Sequence, residues 1–233
     1  MTLEEQRSGE VADMAAPTTL TRASFKTPKA AAVAGIIFST LLIGIFWLFR
    51  ASVPADPTAP GAWLYSNRSS IALALNLVPI AGVAFLWFIG VLRDRLGELE
   101  DRFFATIFFG SGVLFLALLF AAAAMIGALI VTAEADGSQA IVDSAVLHFG
   151  RAIAHTVVNV YLMKMCVVFM FSTSVIALRT GLASRWLGFA GLVLALAIIL
   201  FGSLFDGALF AFPLWALVLN ANLLARQQSA SIA

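Results

Sequence analysis

The sequence predicts an all-α polytopic membrane protein, a bundle of six transmembrane helices, and three observations carry that prediction. Of 233 residues, 61% are hydrophobic and 12% are charged, with a mean hydropathy of +0.99. A soluble domain carries about twice that charged fraction. The apolar residues gather into six runs near the length a bilayer requires, about 17–25 residues. The polar segments between the runs share Lys and Arg unevenly between two sides. This composition excludes a water-soluble globule and a disordered chain alike.

Residues 1–29 are polar, mixed in charge and without apolar periodicity, and they read as a flexible tail. The first span, 31–49, ends at Arg50, and Pro54, Pro57, Pro60 and Gly61 then impose an irregular loop. The second span, 69–92, contains Asn76 and Pro79 and runs into a dense charged turn between Arg93 and Arg102. The third, 103–132, is long at 30 residues and so tilts or protrudes. The fourth covers 152–178, with its helix reaching back toward Ser144. The fifth, 186–205, and the sixth, 208–224, meet at the Asp206-Gly207 break, and 226–233 is a short tail. Each span must be helical, because a backbone in lipid satisfies its polar groups internally. Residues 30–225 therefore form one transmembrane domain. Val53-Pro54-Ala55 looks like a signal-peptidase site, with cleavage after Ala55. The 19-residue apolar run before it exceeds the usual apolar core of a signal peptide, about 7–15 residues, so the first helix reads as retained.

Orientation follows from the basic residues. One side collects Arg7, Arg22, Lys26, Lys29, Arg93, Arg95, Arg102, Arg179, Arg185 and Arg226; the other has Arg50, Arg68 and Arg151. Ten against three places the N-terminus and the C-terminus in the cytoplasm and agrees with an even number of spans. The preference for Arg over Lys, together with abundant Ala and Gly, points to a GC-rich bacterial genome and hence to the bacterial cytoplasmic membrane.

The same composition narrows the chemistry. A net charge of +1 provides no field for nucleic acid. The single cysteine, Cys166, excludes an intrachain disulfide, a multi-thiolate zinc site and an iron–sulfur cluster. His148 and His155 are seven residues apart on one helix, about 10 Å of rise, and cannot sandwich one haem iron. Ser172, Thr173 and Ser174 are consecutive and spread around their helix, and no Gly-x-Ser-x-Gly is present. No span contains Glu, and only Asp206 touches one. No cofactor and no catalytic set is expected.

Lys164 is the sharpest polar signal. It follows His155 by nine residues, about 14 Å along the fourth helix, where a charge costs about 2.5–3.5 kcal/mol on insertion scales. Its structural reading is to snorkel to the outer face or to pair, with Asp206 at the outer end of the fifth span as a candidate partner; its functional reading is a substrate, lipid-headgroup or proton site. His148, Arg151, His155 and Asn159 form a polar stripe on one face of that helix, and α-helical spacing puts Lys164 nearly opposite. Such a stripe is expected to bury against the outer loops; the alternative is the mouth of a pocket or an ion path. Gly188, Gly191 and Ala195 are expected to allow close packing, and Trp47, Trp63, Tyr65, Trp87 and Trp186 to line the interfaces.

Two resemblances add to this. Gly90-Val-Leu-Arg-Asp-Arg-Leu-Gly97 resembles the Gly-x-x-x-Asp-Arg-x-Gly signature of major facilitator transporters, in the matching turn between helices two and three. Gly90, Asp94, Arg95 and Gly97 match; Glu98 and Leu99 replace the family's basic pair, and the family has twelve spans. The stretch from Phe171 to Gly188 and the turn leading into Phe103 resemble uncharacterised bacterial six-span membrane proteins, which implies an integral membrane protein without assigning a site. The expected function is a non-enzymatic structural or accessory component that meets the lipid bilayer and a second copy or a larger membrane complex. The alternative is a small-solute or ion carrier using Lys164, Asp206, Asn159 and His155.

Overall fold

The computed structural model describes residues 28–54, 56, 59–96, 102–135, 144–202 and 207–230. These residues form α1 (Pro28–Ser52), the one-turn α2 (Trp63–Ser66), α3 (Arg68–Leu96), α4 (Arg102–Ala135), α5 (Ala145–Thr156), a π-helical segment (Val157–Leu162), α6 (Met163–Thr180), α7 (Arg185–Phe201) and α8 (Ala208–Ala230). No strand occurs among the described residues. Five stretches among them are long and apolar enough to cross a membrane: Lys29–Ser52, Arg68–Arg93, Phe103–Ala133, Ala145–Thr180 and Ala208–Arg226. The chain is thus an all-helical, membrane-embedded protein. The helix in the expected fifth span, α7, has 17 residues, about 26 Å of rise against a hydrocarbon core of about 30 Å. Ala55, Gly97 and Asp206 lie outside the described residues, as does the tail up to residue 27.

Local chemistry sets the helix ends. The Ser144 hydroxyl accepts the Leu147 N–H at 3.2 Å and caps α5, extending the fourth helix back as expected. Gly181, at φ 67°, ends α6 in the left-handed conformation that glycine adopts without strain, and its N–H donates to Ala177. Pro79 and Pro213 lie inside α3 and α8 without ending them. Three hydroxyls in the spans turn back on their own helices: Ser39 donates to the Gly35 carbonyl, Ser111 to Ile107 and Thr173 to Phe169.

In the bundle α1 lies along α3 and α8, α4 packs on α3, α5 and α6, and α6 pairs with α7. One core joins these helices. Its centre is a set of buried rings from α1, α3, α4, α6 and α8: Phe38, Phe85, Phe108, Phe115, Phe169 and Phe212. The Phe38–Phe85 centroids lie 4.4 Å apart, and Phe115 meets Phe212 edge-on at 5.2 Å. Glycines bring backbones together around this core. Gly35 faces Asn220, Gly188 faces Leu178, and Gly191 faces Ser174 and Trp215, each too close for an added methyl. Gly188, Gly191 and Ala195 are buried, as their spacing predicts.

Contacts also pair the helix ends. At one end Arg93 lies over the Phe109 ring at 4.5 Å, Arg179 over Phe104 at 4.6 Å, and Arg226 reaches the Ser184 hydroxyl at 3.2 Å. At the other end the Asn67 amide donates to the Ser52 carbonyl at 2.8 Å, and the Tyr65 hydroxyl to Ala133 at 3.2 Å. Trp47, Trp87 and Trp186 are exposed on the outside of the bundle. Trp63 departs from the interfacial expectation: it is buried in a second apolar cluster with Leu64, Ile71, Ile130 and Leu147. Val53, just after α1, packs against this cluster.

Candidate functional site

Between α1, α3, α4, α5, the π segment and the starts of α6 and α8 lies a cavity of about 490 Å³. Phe46, Phe49, Val78, Leu119, Ile126 and Phe210 form apolar walls, and Arg50, Arg151, His155 and Asn159 supply the polar groups. It occupies the half of the bundle nearer the 53–66 loop. Toward the other half the phenylalanine rings fill the interior: Phe46 meets Phe210 at 6.1 Å, and Phe38, Phe115 and Phe212 follow further along the same helices.

Arg151 determines the loop side of this cavity. It is buried, with Nη2 donating to the Pro54 carbonyl at 2.6 Å and Nη1 to Ala59 at 3.2 Å. Its guanidinium lies 5.4 Å from the Trp63 ring, and Asp56 is close enough to attract its charge. These are charge-assisted bonds, about twice as strong as neutral ones. Arg151 therefore straps the loop onto α5. For Arg151 this is burial against a loop, as the polar stripe suggested. The next members of the stripe, His155 and Asn159, are exposed, and the Asn159 amide donates to the His155 carbonyl at 3.0 Å.

The π segment corrects one expectation. Ideal α geometry puts Asn159 and Lys164 about 140° apart, on nearly opposite faces. In the structure the Met163 N–H reaches the Val158 carbonyl, the i→i+5 bond of a π turn. A π turn is wider and rotates less per residue, so Lys164 comes round toward Asn159. Both line a small groove of about 50 Å³ with Val167, Ile198, Ile199 and Gly202. The groove shares Asn159, Met163 and Gly202 with the large cavity, so the two adjoin. Residue-by-residue spacing could not show this, because no signal in the sequence marks the wide turn.

Lys164 also acquires a physical explanation. Ile198, Ile199 and Gly202 are the last turn of α7, whose carbonyls carry the partial negative charge of a helix C-terminus. The exposed ammonium group lies beside that end. Lys164→Met is therefore expected to lower stability in detergent by about 0.3–1 kcal/mol, while Lys164→Arg stays near the parent. Thermal unfolding of the purified variants checks this. A far larger loss, partly restored by Asp206→Asn, would instead reveal a buried pair with Asp206.

The transporter-like turn lies at the opposite end of the bundle. Gly90 is exposed with open space around it, Asp94 and Arg95 are in the closing turns of α3, and Arg93 stacks on Phe109. Neither Gly90 nor Arg93 is among the residues that line the cavity. Among the described residues no three His, Cys, Asp or Glu side chains come together as a metal site. What the sequence did not reveal is the convergence of Phe46, Phe49, Arg50 and Phe210 with the stripe. Arg50 read only as the end of a span, and the phenylalanines only as lipid-compatible bulk. Compared with known protein families, curated proteins and solved structures, the chain matches none.

Proposed function

We propose that this chain is a six-span protein of the bacterial cytoplasmic membrane, with both termini inside, and that it serves as a non-enzymatic structural or accessory component of a membrane assembly. The observation that carries the non-enzymatic reading is how Arg151 is used. The most deeply buried charged group beside the cavity binds two backbone carbonyls and orders a loop. The Ser39, Ser111 and Thr173 hydroxyls likewise return to their own helices. Support for six spans comes from α7, which enters the bundle beside α6 and α8 over nearly a bilayer's thickness. Support for the orientation comes from the ten-to-three basic asymmetry.

Sided cysteine labelling tests the topology. In a Cys166→Ala background, a membrane-impermeant maleimide is expected to label Ser66→Cys and Gly207→Cys on intact cells, and Arg185→Cys only after permeabilisation. Equal sidedness of Arg185→Cys and Gly207→Cys would remove α7 as a span. The assembly reading is tested by mild-detergent purification from native membranes, where a stoichiometric foreign chain is expected. A clean homo-oligomer would favour the carrier reading, which the cavity's His155 and Asn159 support.

A further inference from the structure

We propose that the cavity is a binding site for a single-chain amphiphile with a carboxylate head, of the fatty-acid class. The inference rests on the membrane placement above and not on the accessory role.

Three features converge. First, the lining is divided chemically. Its walls are aromatic and aliphatic, while its polar groups Arg50, Arg151, His155 and Asn159 are all able to donate hydrogen bonds, and among the described residues no Asp or Glu lines it. A guanidinium has five N–H donors, and the Pro54 and Ala59 carbonyls engage Arg151 through two nitrogens. An anionic head fits this end better than a neutral or cationic one. Second, the volume suits one chain. About 490 Å³ falls within the range of small-molecule sites, about 300–1,000 Å³. At about 30 Å³ for each water-sized group, it holds on the order of 16 such groups, one long acyl chain rather than two. Third, the cavity has a closed end and an open side. The buried phenylalanine cluster fills the bundle beyond Phe46 and Phe210. His155, Asn159 and Val160 line the cavity yet are exposed, so it opens beside the π segment, at a depth where amphiphiles are supplied by the bilayer itself.

The test uses the full chain in nanodiscs of neutral phosphatidylcholine, with a photoreactive palmitate as probe. Cross-links are expected to concentrate on peptides covering residues 46–54 and 151–163. Unlabelled palmitate is expected to compete at least tenfold better than hexadecanol. Ala122→Phe, which fills the cavity, is expected to reduce labelling at least fivefold; should that variant fail to fold, competition on the parent chain still decides. Labelling spread equally onto the exposed α7 positions Trp186, Val193 and Leu196 would overturn the site. Equal competition by hexadecanol would overturn the carboxylate, and stronger competition by a two-chain phosphatidylglycerol would overturn the single chain. Failure of the cysteine pattern would instead overturn the membrane placement, so the two failures are distinguishable.

Discussion

Arg151→Met is expected to be the most damaging single substitution in the half of the molecule that contains the cavity. It removes two charge-assisted bonds and strands the Pro54 and Ala59 carbonyls beneath the loop. Hydrogen bonds to charged groups contribute about 1.5–3 kcal/mol each, so a loss of about 3 kcal/mol is expected. The loop should then open at residues 53–62, because the Asn67 bond to Ser52, the Tyr65 bond to Ala133 and the apolar contacts of Trp63 and Leu64 hold chiefly its later part. Limited proteolysis should cut between residues 53 and 62 in the variant and not in the parent. Arg151→Lys is expected to recover less than half the loss, since an ammonium is a compact point donor and cannot span both carbonyls as a planar fork does. A variant with parental stability and a protected loop would show that the strap is dispensable.

The second large effect is expected at Gly191. An added methyl group there meets the Ser174 hydroxyl and comes within 2.8 Å of the Trp215 ring. Trp215 cannot move freely, because its indole N–H donates to the Leu187 carbonyl at 3.2 Å. Overpacking of this kind costs about 1–3 kcal/mol, and Gly191→Val should exceed Gly191→Ala. Apolar burial gives helices in lipid no net drive to associate, so close packing carries most of the α6–α7–α8 contact. The Ser174 hydroxyl has no hydrogen-bond partner among the described residues. Ser174→Ala alone is therefore expected to be neutral, while added to Gly191→Ala it should restore part of the loss. A coupling of about 0.5–1 kcal/mol in that double-mutant cycle, read from thermal unfolding in detergent, is the expected result. Strict additivity would place the clash on Trp215 alone.

Much of the architecture was legible in the sequence because lipid imposes so few solutions. A run of about 20 apolar residues in a bilayer has to be a helix. The early start of the fourth helix at the Ser144 cap followed from the same reasoning, as did the close packing at Gly188, Gly191 and Ala195. Trp63 did not follow. Interfacial tryptophan is a statistical preference, and burial of this ring depends on a loop that Arg151 draws inward. The relation between Asn159 and Lys164 did not follow either. It turns on one wide backbone turn, and an error of a few tens of degrees per turn reverses which face a residue occupies.

By itself, then, the sequence determined that this chain is helical and membrane-embedded, where its apolar helices run, and which few polar residues lie among them. These properties depend on composition and on periodicity along one element, and both are local. Only the tertiary structure decided that four of the polar residues and the walls of seven helical elements enclose one cavity, that Arg151 is committed to a loop, and that Lys164 lies at the end of α7. Those properties depend on the rotation and depth of each helix against its neighbours. They are set by where glycines let backbones approach and where phenylalanine rings interlock, which no single segment records.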